Sequence, residues 1–178
     1  MIKRKAVFLD RDGVLNDVVI KNGKPYPPAS LMEMTIASDV LTALQLFKSQ
    51  GYLLIGATNQ PDVARGQTSR DVVEAINARL LALLPLDEIR VCYHDDKHGC
   101  DCRKPAPGLL LQAADEHAID LTKSIMIGDR WKDIAAGKRA GCKTIWIDRG
   151  YQEPKAEDPD AIVRSLGEAA IILRDTWT

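Results

Sequence analysis

The sequence predicts an α/β fold: a three-layer, doubly wound, mostly parallel sheet with helices on both faces and no large cap domain. Three observations carry this expectation. Strand-like and helix-like segments alternate along the chain, the pattern that builds parallel sheets through crossover helices. The strand-like segments are short and almost wholly apolar, as strands buried on both faces are. With 178 residues and 46% apolar content, the chain is long enough for one well-buried core and short for two. Residues 1–178 therefore read as a single domain.

The first strand candidate is KAVFLD (5–10). Behind it lies the one long non-periodic segment, residues 13–37, GVLNDVVIKNGKPYPPASLMEMTIA, with three prolines within four positions. A loop of that length in a compact domain is usually functional, and here it is expected to shape substrate access. Val40, Leu41, Leu44 and Phe47 then recur at helical spacing behind the cap candidates Ser38 and Asp39, and Gly51 supplies the stop. YLLIGAT (52–58) is the second strand, followed by a helix from about Ser69 to Leu84 between Thr68 and Pro85. EIRVCY (88–93) is the third strand, and PGLLLQAADEHA the next helix. SIMIGD (124–129) and TIWID (144–148) flank a helix in WKDIAAGKRAG that closes on Gly141. Near the C-terminus, Ser165 and Glu168 have capping-box spacing ahead of AAIIL.

Charged residues make up 28% of the chain and nearly cancel, to a net charge of -1, so no footprint for nucleic acid or an anionic membrane is present. The N-terminal MIKRKAVFLDRDG has a four-residue apolar run ended by an acid, too short for a secretory core. No run approaches the roughly 18 to 20 apolar residues of a membrane span. The expectation is a soluble, cytoplasmic monomer with no nucleic-acid or membrane partner.

In this architecture sites form at the carboxyl ends of the strands. Asp10 ends the first strand, Thr58 and Asn59 the second, and Asp129 the fourth, while Lys104 in CRKPAPG follows the third. Carboxylates, a hydroxyl and a lysine at one edge suggest a metal and a phosphate. Asp10, Asp129 and, one helical turn on, Asp133 offer the hard oxygens Mg2+ prefers. Lys104 would neutralise phosphoryl charge. Each feature has a plainer reading: Asp10-Arg11-Asp12-Gly13 as turn chemistry, Asp133 as an acid satisfied by the helix dipole.

The window CYHDDKHGCDC holds Cys92, His94, Cys100 and Cys102. Three thiolates and one imidazole form a closed tetrahedral set, the pattern of structural Zn2+, so residues 92–102 read as a zinc-binding loop. His98 is an alternative to His94; free thiols or a redox pair also remain open. Cys102 lies two residues before Lys104, so the ion would fix where that lysine points. Cys142 reads as core packing and His117 as an exposed helix residue.

Taken in order, FLDRDGVLN, TNQ, CRKP and IGDRWKD resemble the four motifs of the haloacid dehalogenase superfamily of aspartate-nucleophile phosphatases, over about residues 5 to 150. The cysteine loop resembles the zinc-containing capless subfamily, the heptose 1,7-bisphosphate phosphatases and the histidinol-phosphatase domain. The resemblance implies that Asp10 is the nucleophile and Asp12 the general acid and base. It implies Mg2+ on Asp10, the Asp12 carbonyl and Asp129, with Thr58 and Lys104 on the transferring oxygens. It also implies substrate contacts from Asn59, Gln60, Pro61, Arg103 and Arg130. Pro61-Asp62 stands where heptose enzymes typically have Ser-Gly, and residues 13–37 lack their Gly-Tyr-Val stretch. Proline fixes the backbone and removes a donor, so contacts there would differ. Free-standing length and VARG favour a heptose phosphate, with removal of the 7-phosphate, over histidinol phosphate. A phospho-receiver also uses Asp, Thr and Lys on such a sheet but lacks an acid at plus two. A zinc-dependent interaction module would show no phosphatase activity and have no need for Asp129.

Overall fold

Every strand expected from the sequence lies in one six-stranded sheet in which all neighbours run parallel. The computed structural model describes residues 3–177. Along the chain the elements begin with β1 (Lys5–Leu9), the hairpin strands β2 (Val19–Lys21) and β3 (Lys24–Tyr26), and helix α1 (Val40–Ser49). β4 (Tyr52–Asn59), α2 (Arg70–Leu83), β5 (Glu88–Cys92) and α3 (Gly108–Glu116) follow. The last elements are β6 (Ile125–Gly128), α4 (Trp131–Ala140), β7 (Lys143–Ile147), β8 (Ala161–Val163) and α5 (Leu166–Thr176). Among the described residues no helix is long and apolar enough to cross a membrane.

Strand order is β5-β4-β1-β6-β7-β8. The chain fills one half of the sheet outward from β1, then returns past β1 to fill the other, so strand order reverses at β1. Loops leaving β1, β4 and β6 diverge there and open a crevice at the carboxyl edge.

The period-two alternation of β1 splits the core between two faces. Val7 and Leu9 pack with Val40, Leu44 and Phe47 of α1, Ile76 and Leu80 of α2, and Leu173 of α5. Ala6 and Phe8 pack on the other side with Leu109, Leu110 and Ala113 of α3. Phe8 is fully buried, and cutting it to alanine would cost about 3–5 kcal/mol through lost burial and the remaining cavity. Cys142 is buried in this second face, as expected.

Three local expectations need correction, and one strand, β8, was not foreseen. Residues 13–37 are not one open loop. Val14 and Leu15 are buried in the core, and β2 and β3 form a hairpin whose turn is Asn22 (φ 51°) and Gly23 (φ 72°). Both turn residues have positive φ, the geometry that favours Asn-Gly between short strands. β8, three residues on the sheet edge, has too little periodicity to be read from sequence. Leu41 points out, 42% exposed, and Ala43 takes its place on the buried face of α1. Asp39 precedes α1 without capping it; its Oδ2 instead accepts from Gly167 N of α5 at 2.8 Å.

Candidate active site

Asp10 continues β1, its N–H donating to Ile127 O at 3.0 Å, so it is fixed as firmly as a strand residue. The chain then turns sharply: Gly13 (φ 89°) donates to Asn16 O at 2.7 Å, and Leu15 N and Asn16 N donate to Arg11 O. A Cβ at residue 13 would overlap the Asp129 carboxylate. Glycine here therefore does more than tolerate a positive φ: it lets the first loop touch Asp129.

Lys104 enters from the loop after β5. Its ammonium donates to Asp10 Oδ1 at 2.8 Å and to Ala57 O at 2.6 Å, and lies 2.6 Å from Asp133 Oδ1. Asn59 holds its backbone from both sides, accepting from Lys104 N at 3.0 Å and donating to Lys104 O at 2.9 Å. Burial works against the ammonium, yet Asp10 and Asp133 outweigh it and hold its pKa above that of an ordinary lysine.

Asp129 follows β6, its main-chain oxygen accepting from Trp146 Nε1 at 3.1 Å. Carboxylate oxygens of Asp10, Asp129 and Asp133 come within 4.8 Å of one another. Burial first, and the charge of Asp133 next, push the Asp10 pKa up to about 6 against the pull of Lys104. Burial and the charges of Asp10 and Asp133 raise Asp129 well above the carboxylate range. Asp129 Oδ2 accepts from Tyr151 Oη at 2.8 Å, whereas Oδ1 is buried and has no hydrogen-bond partner among the described residues. Gathered hard oxygens, one of them orphaned, fit a divalent cation such as Mg2+. Asp133 differs, since Lys104 engages its Oδ1 and Arg130 N its Oδ2 at 3.0 Å. It serves as counter-ion to the lysine.

Asp12 is held by three neighbours, Arg11, Asn16 and Gln60. The buried Arg11 guanidinium meets it through Nε at 3.2 Å and Nη2 at 3.0 Å, while Nη1 reaches Asn77 of α2. Asn16 Nδ2 donates at 3.0 Å and Gln60 Nε2 at 2.7 Å, the latter also meeting Thr58 Oγ1 at 3.0 Å. Arg11 could have been suspected from sequence, because a guanidinium between two acids at the end of a buried strand must be paired.

The crevice is a cavity of about 250 Å³ that includes Asp10, Asp12, Thr58 and Lys104. Lys24 and Tyr26 of the hairpin line it with the flanking Val18 and Pro27, and Pro61, Asp62 and Arg65 line another wall. Of the expected substrate residues, Asn59, Gln60, Pro61 and Arg130 lie on this cavity, with Gln60 almost fully buried and turned onto Asp12. Arg130 also donates twice to Glu153, at 2.7 and 2.6 Å. Arg103 turns away, its Nε on Asp96 Oδ1 at 2.8 Å.

Cys92, at the end of β5, gathers with His94, Cys100 and Cys102, their donor atoms within 4.8 Å of one another. Cys100 Sγ lies 3.7 Å from Cys92 and 3.5 Å from Cys102, and His94 Nδ1 lies 3.3 Å from Cys102 Sγ. Cys102 Sγ also lies 2.8 Å from Cys92 Sγ, so the four donors form one cluster of the Cys3His composition that suits a structural Zn2+ site. His98 is committed elsewhere, its Nδ1 accepting from Asp95 N at 3.0 Å. His117 is paired, not merely exposed, with Nε2 3.1 Å from Glu88 Oε1.

A family model described as HAD-hyrolase-like matches residues 101–169. A D-glycero-beta-D-manno-heptose-1,7-bisphosphate 7-phosphatase of Pasteurella multocida is 40% identical over 167 residues, 87% of this chain and 86% of that protein. One of Helicobacter pylori is 38% identical over 149 residues, 80% of this chain and 83% of its own. The crystal structure of a D,D-heptose 1,7-bisphosphate phosphatase from B. bronchiseptica, complexed with magnesium and phosphate, superposes with a TM-score of 0.81 at 26% identity, covering 96% of this chain and 98% of that one. Resemblance at that level, spread over nearly the whole of both chains, joins the aspartate, lysine and strand-edge geometry to one conclusion. The chain belongs to the HAD-like phosphatase family that includes the D-glycero-beta-D-manno-heptose-1,7-bisphosphate 7-phosphatases.

Proposed function

We propose that this phosphatase removes the 7-phosphate of D-glycero-D-manno-heptose 1,7-bisphosphate through an aspartyl-phosphate on Asp10. The observation that carries the reading is the Lys104 ammonium, 2.8 Å from Asp10 Oδ1 beside the orphaned Asp129 Oδ1, in a chain 40% identical to a phosphatase of that name. A carboxylate oriented by an ammonium, with a cation pocket next to it, is what in-line attack on a phosphate dianion needs.

An oxygen of Asp10 attacks phosphorus while the bond to the sugar oxygen breaks, and Asp12 gives that oxygen its proton. In the second half Asp12 takes a proton from water; the water oxygen bonds phosphorus, the acyl-phosphate bond breaks, and Asp10 and inorganic phosphate are released. The Thr58 hydroxyl and Lys104 hold the transferring oxygens. Arg11, Asn16 and Gln60 keep Asp12 aimed. Asp10 and Asp129 hold Mg2+, with the Asp12 carbonyl, and that ion supplies charge shielding between nucleophile and phosphate. Cys92, His94, Cys100 and Cys102 hold a structural Zn2+ that stiffens the loop leading to Lys104.

The hairpin lining the cavity, together with Asn59, Pro61 and Arg130, contacts the sugar. Arg103, as oriented, supports the cysteine loop instead. Residues 1–178 act as one phosphatase domain and as a cytoplasmic monomer. A comparison of kcat/KM for heptose 1,7-bisphosphate, histidinol phosphate and a set of sugar monophosphates tests the reading. The bisphosphate is expected to lead by tenfold or more, a difference of only about 1.4 kcal/mol in transition-state binding; a lead for histidinol phosphate would overturn it.

A further inference from the structure

The segment after β7, Arg149-Gly150-Tyr151-Gln152-Glu153, is bonded to three parts of the active-site rim. Arg149 Nε and Nη2 donate to Gly13 O at 3.2 and 3.0 Å, on the loop that carries the two catalytic acids. Tyr151 Oη donates to Asp129 Oδ2 at 2.8 Å. Gln152 N donates to Gly23 O at 2.9 Å, at the tip of the hairpin. Glu153 takes both donors of Arg130 on the cavity wall. Four of these five residues thus reach three pieces of the site: the Gly13 loop, the Asp129-Arg130 turn and the hairpin tip.

We infer that Tyr151 is a positioning residue of the phosphatase reaction: by occupying Asp129 Oδ2 it leaves Oδ1 as the single oxygen presented to the divalent cation. The inference rests on the proposed role of Asp129 as a Mg2+ ligand. Three features of the site support it. A carboxylate can bind an ion with one oxygen or two, and which it does is decided by what holds the other oxygen. Here the other oxygen has a fixed, half-buried hydroxyl, while its twin is buried and unpartnered. Tyr151 is itself immobilised, because its neighbour Arg149 is tied to Gly13 O and Gln152 to Gly23 O. Close approach completes the arrangement: a Cβ on Gly13 would overlap Asp129 and come within 3.0 Å of the Tyr151 hydroxyl oxygen. The first and fourth motifs therefore meet on this hydroxyl, and the same strap registers the hairpin against them.

Removing one hydroxyl, in Tyr151→Phe, tests this with little risk to the fold. Mn2+ is titrated into the zinc-loaded protein and free Mn2+ read by electron paramagnetic resonance, alongside thermal melting without added metal and steady-state kinetics across Mg2+ concentrations. The expected result is a Mn2+ dissociation constant raised about tenfold, metal-free melting lowered by no more than a few degrees for the lost hydrogen bond, and a kcat that recovers toward wild type at saturating Mg2+. Unchanged or tighter Mn2+ binding in Tyr151→Phe, while wild type binds and Asp129→Asn does not, would overturn the positioning role. If wild type and Asp129→Asn bind Mn2+ alike, the metal assignment itself falls, and the inference with it.

Discussion

Lys104 lies on Asp10 with its ammonium 2.8 Å from Oδ1 and only 2% of its side chain exposed. A second acid, Asp133, meets the same ammonium, so two buried negative charges share one cation. Lys104→Met would leave both uncompensated, which for a broken buried pair costs about 3–5 kcal/mol. It would also remove charge stabilisation worth about 10² to 10³ in kcat. Urea unfolding and phosphate release from a generic phosphomonoester would read the two effects separately; a fully active, equally stable variant contradicts the geometry.

Asp10→Asn should abolish turnover, since an amide cannot form the acyl phosphate. The decisive measurement is phosphate release with Mg2+ by extensively purified protein. Residual hydrolysis equal to wild type would remove Asp10 from the mechanism.

Asp129 gives a prediction about stability whose sign follows from its raised pKa. A buried carboxyl of that kind penalises the folded state once ionised, so the penalty is absent below pH 4 and grows as pH rises through the raised value. Without divalent metal, Asp129→Asn is therefore expected to melt higher than wild type at pH 8, by a few degrees at roughly 2–4 °C per kcal/mol for a chain this size. The difference should vanish toward pH 4, and added Mg2+ should raise the melting point of wild type alone.

Gln60 bonds both Asp12 and Thr58, so it joins the proton shuttle to the phosphate-holding hydroxyl. Gln60→Ala should lower kcat about 10- to 100-fold, as misplacement of an acid does, with KM changing less. A change confined to KM would instead make Gln60 a substrate contact.

For the cysteine cluster, one Zn2+ per chain is expected by elemental analysis, lost when Cys100 and Cys102 are both replaced by Ser. Since Cys102 is two residues from Lys104, activity should fall with the metal. Cys142, whose thiol pKa is pushed up to about 12 by burial, should resist alkylation in either state.

The sheet, its helices and the meeting of Asp10, Thr58, Lys104 and Asp129 at one edge were legible because buried parallel strands are written as plain apolar runs. What the sequence concealed has physical reasons. The hairpin strands are three residues each and sit among prolines, so periodicity fails although Asn22-Gly23 is a turn signal. Tyr151 follows a strand end and was reachable by the same edge rule, but a lone tyrosine in a polar loop carries no pattern. Asp39 looks like a helix cap, and only the docking of α5 shows which helix it serves. The roles of Arg11 and Arg103 depended on which acid each found, a matter of three-dimensional distance rather than spacing.

The Asp39–Gly167 bond and the burial of Leu166, Ala169 and Leu173 beside Val40 and Phe47 have a consequence for synthesis. The apolar stripe of α1 is covered in part by residues made more than 120 positions later. During translation that stripe, and the face of the central strand beneath it, stays open to other hydrophobic chains until the final helix emerges. A stalled or prematurely ended product would thus expose a greasy groove in front of an otherwise complete set of acids, the kind of surface chaperones recognise.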